Sequence, residues 1–293
     1  MIRQSQPRST ALRIYISLIL VIVINNSHIQ AQYTKRVAPN VDSTLIKIMD
    51  TDQSLREKFN YTLANSGGNS PDFILASKDL NIGDSINQKQ IDSIFHTYGW
   101  LAPPIVSEKA SKAYFYVIQH AQYEFQKKYK PHVIQAFKKG VIDRQEFIFF
   151  IDRLAIREQK YQKHGTQIMT DNIGNNYFVP IDTTNNSAND FLEDIEQRMK
   201  NNDFILFANN DLITIFVHSF DINTNGPIPF LVICLDGEKI GETNKNGFFQ
   251  TCITRKKGES ILTVTDSNTK KTRSRKLNFQ EDIDFFDSYF GFR

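Results

Sequence analysis

Cysteine is nearly absent from this chain: two occur in 293 residues, Cys234 and Cys252, beside a single tryptophan and four methionines. Neither is part of a CxxC pair, and two thiols are too few ligands for a cysteine-held metal. HExxH, a glycine-rich phosphate loop and a GxSxG elbow are missing too, which removes the zinc-protease, P-loop and serine-hydrolase readings. Beyond residue 31 the histidines stand at 96, 120, 132, 164 and 218, never at close ligand spacing. No metal and no cofactor are expected.

Long hydrophobic runs are lacking except at the start, where residues 14–24 read IYISLILVIVI. That is about half of the roughly 20 apolar residues a spanning helix needs. Arg3, Arg8 and Arg13 precede it, residues 1–31 hold no acidic residue, and the polar NNSHIQ leads to Ala31. These are the n-region, h-region and small-residue end of a signal peptide, with cleavage expected before Gln32 and a periplasmic or extracellular mature protein. Without those arginines the 35 basic residues fall to 32, matching 32 acidic ones. A neutral chain gives no reason to expect nucleic acid, and no later run is apolar enough for a transmembrane segment.

Length favours two domains. Residues 32–203 read as mainly helical. Leu45, Ile48, Met49, Leu55 and Phe59 form one stripe, broken by NSGGNSP. A loop around DLNIGDSINQ is expected next, then a short helix closed by Gly99 and the WLAPP turn. Ser107 caps a long helix through Tyr129, Pro131 opens another that ends at Gly140, and IDRQEFIFFIDRLAIREQKY is helical again. KHGTQIMTDNIGNNYFVPID suggests two short strands about an Asn/Gly turn, and DFLEDIEQRMKN a final helix. Residues 204–293 alternate between Asn/Gly turns, the mark of a small β-sandwich. The fold class expected is therefore α+β, helical domain first. The closing EDIDFFDSYFGFR is either an exposed aromatic surface or a last strand packed on the sandwich.

Within 211–270, Gly241, Thr243, Asn244, Gly247 and Phe248 follow turns at Asp236-Gly237 and Asn244–Gly247. This pattern resembles the carboxypeptidase-regulatory-like, transthyretin-like sandwich family, whose members are non-catalytic accessory modules. The resemblance implies docking or contact and no catalytic residue. Cys234 and Cys252 fall in adjacent expected strands, so either a disulfide or two free thiols is allowed.

In the helical part polar residues interrupt apolar segments, where burial without partners costs a few kcal/mol each. Asp52-Gln53-x-x-Arg56, Tyr98-Gly99-Trp100, Ile118-Gln119-His120-Ala121, Asp152-Arg153, Gln162 and Gly165-Thr166-Gln167 occur in that order, and over 45–200 the chain resembles the DUF6624 family. His164 stands where that family usually has tyrosine. The resemblance implies a domain and no activity. From the residues, His120 suits a general acid/base, Asp152 could orient it, and Arg56 or Arg153 could hold an anionic group. Gln119, Gln162 and Gln167 complete the candidate binding set. The opposing reading is mutual satisfaction inside a bundle, with Asp52 and Arg56 as a helix-surface pair. Glu124, Asp143, Glu146 and Asp152 as a glycosidase pair are no better than background carboxylates.

Two functions follow. The first is an exported protein whose helical domain binds an unknown ligand or envelope component, with the sandwich as accessory. The alternative is a hydrolase acting on an envelope peptide or glycan, with His120 as acid/base.

Overall fold

A computed structural model describes residues 40–171, 174–182, 207–208 and 211–293. Helices fill the N-terminal part and sheets the C-terminal part, the α+β class expected. Contacts divide the chain into two compact units, one ending at Ile142 and the other covering Asp143–Arg293. The signal segment, the domain edge near 203 and the helix expected over 190–201 lie outside the described residues. Residues 143–182, expected with the helical domain, share the second unit with the strands. No described helix is long and apolar enough to cross a membrane.

The first unit holds helices α1 (Val41–Ser66), α2 (Pro71–Tyr98), α3 (Glu108–His120) and α4 (Tyr123–Lys138). On α1 the buried positions are Val41, Leu45, Ile48 and Asp52, spaced four, three and four, so the carboxylate of Asp52 continues an otherwise apolar stripe. Gly67 ends the helix at φ +76°, its N–H reaching Leu63 O. Ser70 then caps α2, accepting from Phe73 N at 3.1 Å, with Pro71 at the first helical position.

Helix α2 runs unbroken where a loop and a short helix were expected. Gly83 looks like a breaker, yet it faces α1 so closely that a Cβ there would fall 2.1 Å from Leu55 Cδ1. The glycine admits the neighbouring leucine and leaves the helix intact. The buried row Ala76, Leu80, Gly83, Asn87 and Ile91 keeps helical spacing through the polar stretch.

The long helix expected from Ser107 to Tyr129 is instead two. Ser107 caps α3, but Ala121 is extended (φ −67°, ψ 168°) and α4 begins at Tyr123. The fully buried Gln126 donates to the carbonyl of Gln119 at 2.7 Å, satisfying a group the helix end leaves open. Pro131 therefore lies inside α4 and does not open a helix. This break leaves His120 as the last residue of α3.

In the second unit Asp143 and Glu146 form a reciprocal capping box for α5 (Arg144–Arg157). The hairpin β1 (Ile168–Thr170) and β2 (Asn176–Phe178) follows as expected, and β3 (Ile181–Asp182) pairs in parallel with β4 (Phe207–Ala208). The remaining strands are β5 (Leu212–Asp221), β6 (Val232–Leu235), β7 (Glu238–Glu242), β8 (Phe248–Thr254), β9 (Gly258–Thr265), β10 (Thr272–Phe279) and β11 (Phe285–Phe292). They form a four-stranded sheet, β10-β9-β6-β7, and a three-stranded sheet, β11-β5-β8. Ile213, Ile215 and Val217 meet Ile233, Leu262 and Val264 in the core between the sheets.

The aromatic C-terminus is a packed last strand: Phe285, Phe286, Phe290 and Phe292 are buried, and only Tyr289 is exposed. Gly241 sits under Phe249, whose Cε2 would lie 2.1 Å from an added Cβ. Thr243 accepts from Leu231 N, while Asn244 Oδ1 accepts from Asn246 N and Phe248 N. The turn pattern around 241–248 is thus written by packing and local hydrogen bonds.

Both cysteines are free. Cys234 alternates with the core residues Ile233 and Leu235, and Cys252 pairs with Thr214 on the face opposite Ile213 and Ile253. The side chains therefore point away from the interior on different sheets, which stand about 10 Å apart, beyond disulfide reach. The disulfide allowed by the sequence does not form, because the two strands lie in separate sheets. In denaturant without reductant, two equivalents of iodoacetamide should add per chain by mass spectrometry; no addition would contradict this geometry.

Candidate functional site

The first unit gathers four polar side chains from three helices. Asp52 is only 1% exposed. Its Oδ2 lies 3.0 Å from His120 Nδ1 and accepts from Gln53 Nε2 at 2.8 Å. Arg56, one turn along α1, places Nε 2.7 Å from the same Nδ1 and 3.3 Å from Asp52 Oδ1. Its Nη2 donates to Asp84 Oδ1 on α2 at 2.6 Å. Asp52 and Arg56 thus form a buried junction between helices, where a helix-surface pair was expected.

Nδ1 cannot donate to Asp52 and accept from Arg56 at once. A carboxylate facing a ring lone pair is repelled, whereas Arg56 Nε keeps Asp52 as an alternative acceptor. With the proton on Nδ1 the ring donates to Asp52 and Nε2 keeps the lone pair; with the proton on Nε2, Nδ1 accepts from Arg56 Nε at 2.7 Å. The side chain of His120 is 19% exposed, so the ring reaches solvent while its inner edge is fixed. This is the arrangement of an oriented base.

The two carboxyls on Arg56 are pushed apart. Burial drives Asp52 up, but its hydrogen bond to His120 and the charges of His120 and Arg56 outweigh this and hold it below its ordinary value. At Asp84 burial wins over Arg56, and the carboxyl lies above its ordinary value. Divergent carboxyls of this kind occur where acid and base roles are divided. Asp84 also lines a cleft of about 460 Å³ between α2 and α4, together with Gln122, two residues after His120. The bonded series His120, Arg56, Asp84 links the imidazole to a wall of the cleft. The charge of Arg56 is answered by Asp52 and Asp84, so it is not available to hold an anion.

The other predicted site residues lie in the second unit, apart from Gln119, which is buried on α3. Asp152, fully buried, accepts from Lys163 N, His164 N, Thr166 N and Thr166 Oγ1 at 2.9–3.1 Å. Its acceptor capacity goes to the 163–166 loop; Asp52, not Asp152, holds the His120 ring. Gln162, also fully buried, accepts from Gln167 N at 2.7 Å and donates to Gln167 O and Val179 O. Gln167 reaches Thr166 Oγ1 and Phe149 O, and Arg153 is half-buried on α5. Asp152 and Gln162 together shape the GTQ turn: Asp152, expected to orient His120, is engaged by the 163–166 loop, and Gln162 and Gln167, expected to bind a ligand, bond to one another. Asp152→Asn should destabilise the turn by about 2 kcal/mol, the scale of a hydrogen-bonded buried charge. Faster amide exchange at Lys163, His164 and Thr166 would register it; unchanged exchange would refute it.

Sequence reasoning passed over a second buried histidine. His218 on β5 is 0% exposed. Its Nδ1 lies 2.9 Å from Asp171 Oδ2 in the hairpin turn, and its Nε2 lies 2.7 Å from Asp287 Oδ1 on β11. Tyr289 stacks on the ring at 4.4 Å, and Tyr177 OH donates to Asp287 Oδ2 at 2.7 Å. Burial and Asp287 push the Tyr177 phenol far above its usual range, which keeps it a donor. The available signal was parity: His218 shares the face of Phe216, which packs with Tyr161, Tyr177 and Phe285, so both faces of β5 are covered.

Among the described residues no group of three or more His, Cys, Asp or Glu side chains is placed to hold a metal ion. No curated protein matches the chain in sequence. The model of a family of unknown function, DUF6624, matches residues 39–190, from the start of α1 through the hairpin of the second unit. That is more than half of the chain, and the protein belongs to the DUF6624 family.

Proposed function

We propose that this chain is an exported hydrolase acting on an envelope peptide or glycan, with His120 as its proton-transfer group and Asp52 as the residue that positions it. One observation carries the reading: the Nδ1 edge of His120 is held 3.0 Å from a buried carboxylate while the ring stays in contact with solvent and is linked through Arg56 to Asp84 in the wall of a polar cleft. A histidine kept only for packing has no need of an orienting carboxylate and an open edge together. Export is supported by the basic, apolar and small-residue order of residues 1–31. The mature chain should begin at Gln32, which N-terminal sequencing of secreted material reads directly. The sheets of the second unit serve as a carboxypeptidase-regulatory-like accessory, supported by the 241–248 turn pattern.

Mature protein incubated with isolated bacterial sacculi should release soluble fragments detectable by mass spectrometry. His120→Gln should release none while keeping the same circular dichroism spectrum. Equal release by the two proteins, or none by either, would overturn the hydrolase. Ligand binding without turnover, the other reading of the cleft, would appear as wild-type retention on sacculi with no fragments.

A further inference from the structure

The cleft between α2 and α4 has mostly polar walls. Asn81, Ser85, Gln88 and Gln122 line it with uncharged donors and acceptors, and the half-buried ring of Phe125 supplies an apolar surface. Asp84 bonds to Arg56 and Asp92 to Lys128 and to Tyr129 OH at 2.6 Å, and Lys89 lines the same wall. The volume of the cleft, about 460 Å³, lies in the range of small-ligand pockets. A carboxamide presents a donor and an acceptor side by side, matching two neighbouring hydroxyls, and an aromatic ring matches the C–H face of a pyranose.

We propose that the cleft between α2 and α4 is a glycan subsite, holding a sugar ring against Phe125 with its hydroxyls on Gln88, Gln122 and Asn81. This rests on the hydrolase reading and chooses glycan over peptide. Nε2 of His120 takes a proton from water, and the water oxygen bonds to the anomeric carbon. The glycosidic C–O bond breaks, and its oxygen takes a proton from the neutral form of Asp84, at Oδ2, while Oδ1 accepts from Arg56. One water is added, one proton is taken and one is given, and exchange with solvent resets both groups.

The test uses full-length mature protein and peptide-free glycan strands from bacterial sacculi. His120→Gln should bind the strands calorimetrically, and adding Phe125→Ala should weaken binding at least tenfold. Gln88→Ala, on the opposite wall, should weaken it as well and guards against a folding defect at Phe125. Wild type should generate new reducing ends. New amino groups without reducing ends would overturn the glycan assignment and leave the hydrolase standing. Binding of strands without turnover would leave the subsite and remove the hydrolase. No binding by His120→Gln would overturn the subsite.

Discussion

Asp52→Asn should lower kcat on sacculi by about 10²–10⁴-fold with little change in KM, the range lost when general acid–base catalysis fails. In the proposed hydrolase Asp52 touches no substrate; from 3.0 Å it holds the proton on Nδ1 of His120 and thereby leaves Nε2 open. Asparagine fits the same space but can turn its amide N–H toward the ring, favouring the tautomer with the proton on Nε2. His120→Gln should lose at least as much activity. A drop in substrate affinity with kcat unchanged would mean that Asp52 shapes the cleft and does not position the base.

The same substitution has a pH signature. The carboxyl of Asp52 lies below 3.8 in the folded protein, so its ionised form is favoured by folding. Its contribution to stability is complete above the unfolded value of about 3.8 and is lost as pH falls through the lower folded value. Wild type should therefore exceed Asp52→Asn in stability at neutral pH, and the difference should shrink in acid. A gap that widens on acidification would contradict the assigned direction.

His218→Leu should cost the second unit about 1–3 kcal/mol, the penalty for leaving buried polar groups short of a hydrogen-bond partner. The imidazole separates Asp171 from Asp287 on elements distant in sequence, the β1–β2 turn and β11. Leucine leaves Asp171 and Asp287 without the imidazole between them. Adding Asp171→Asn and Asp287→Asn should recover part of the loss, because an uncharged amide costs less to leave short of a partner than a carboxylate. Urea unfolding, with amide exchange of the hairpin as a local probe, measures both steps. A small effect from His218→Leu, or no recovery in the triple variant, would show that the ring acts as packing alone.

The helix ends at Gly99 and Ser107 were legible because each cap is local in sequence. The break after His120 was not. Ala121 carries no breaker signal, and the group that satisfies the helix end is Gln126, already in the next helix. Gly83 misled for a related reason, since its purpose is the approach of Leu55 from another helix. At the site, His120 and Arg56 could be singled out from the motif. Asp52 could be placed on the stripe with Leu45 and Ile48, but its partner ring lies 68 residues away. Asp152 drew notice as a buried charge beside an apolar run, yet only folding shows its acceptors filled by the 163–166 loop. Asp84 sat in a stretch read as loop, and its connection through Arg56 has no local trace. What escaped the sequence in each case is a contact between distant segments.

The proposed function turns on which nitrogen of His120 carries the proton. Long-range ¹H–¹⁵N spectra of ring-labelled protein decide it without any substrate. Wild type should show the neutral His120 ring protonated on Nδ1, and Asp52→Asn should show it on Nε2. A ring protonated on Nε2 in wild type, unchanged by Asp52→Asn, would contradict the oriented base and the function built on it.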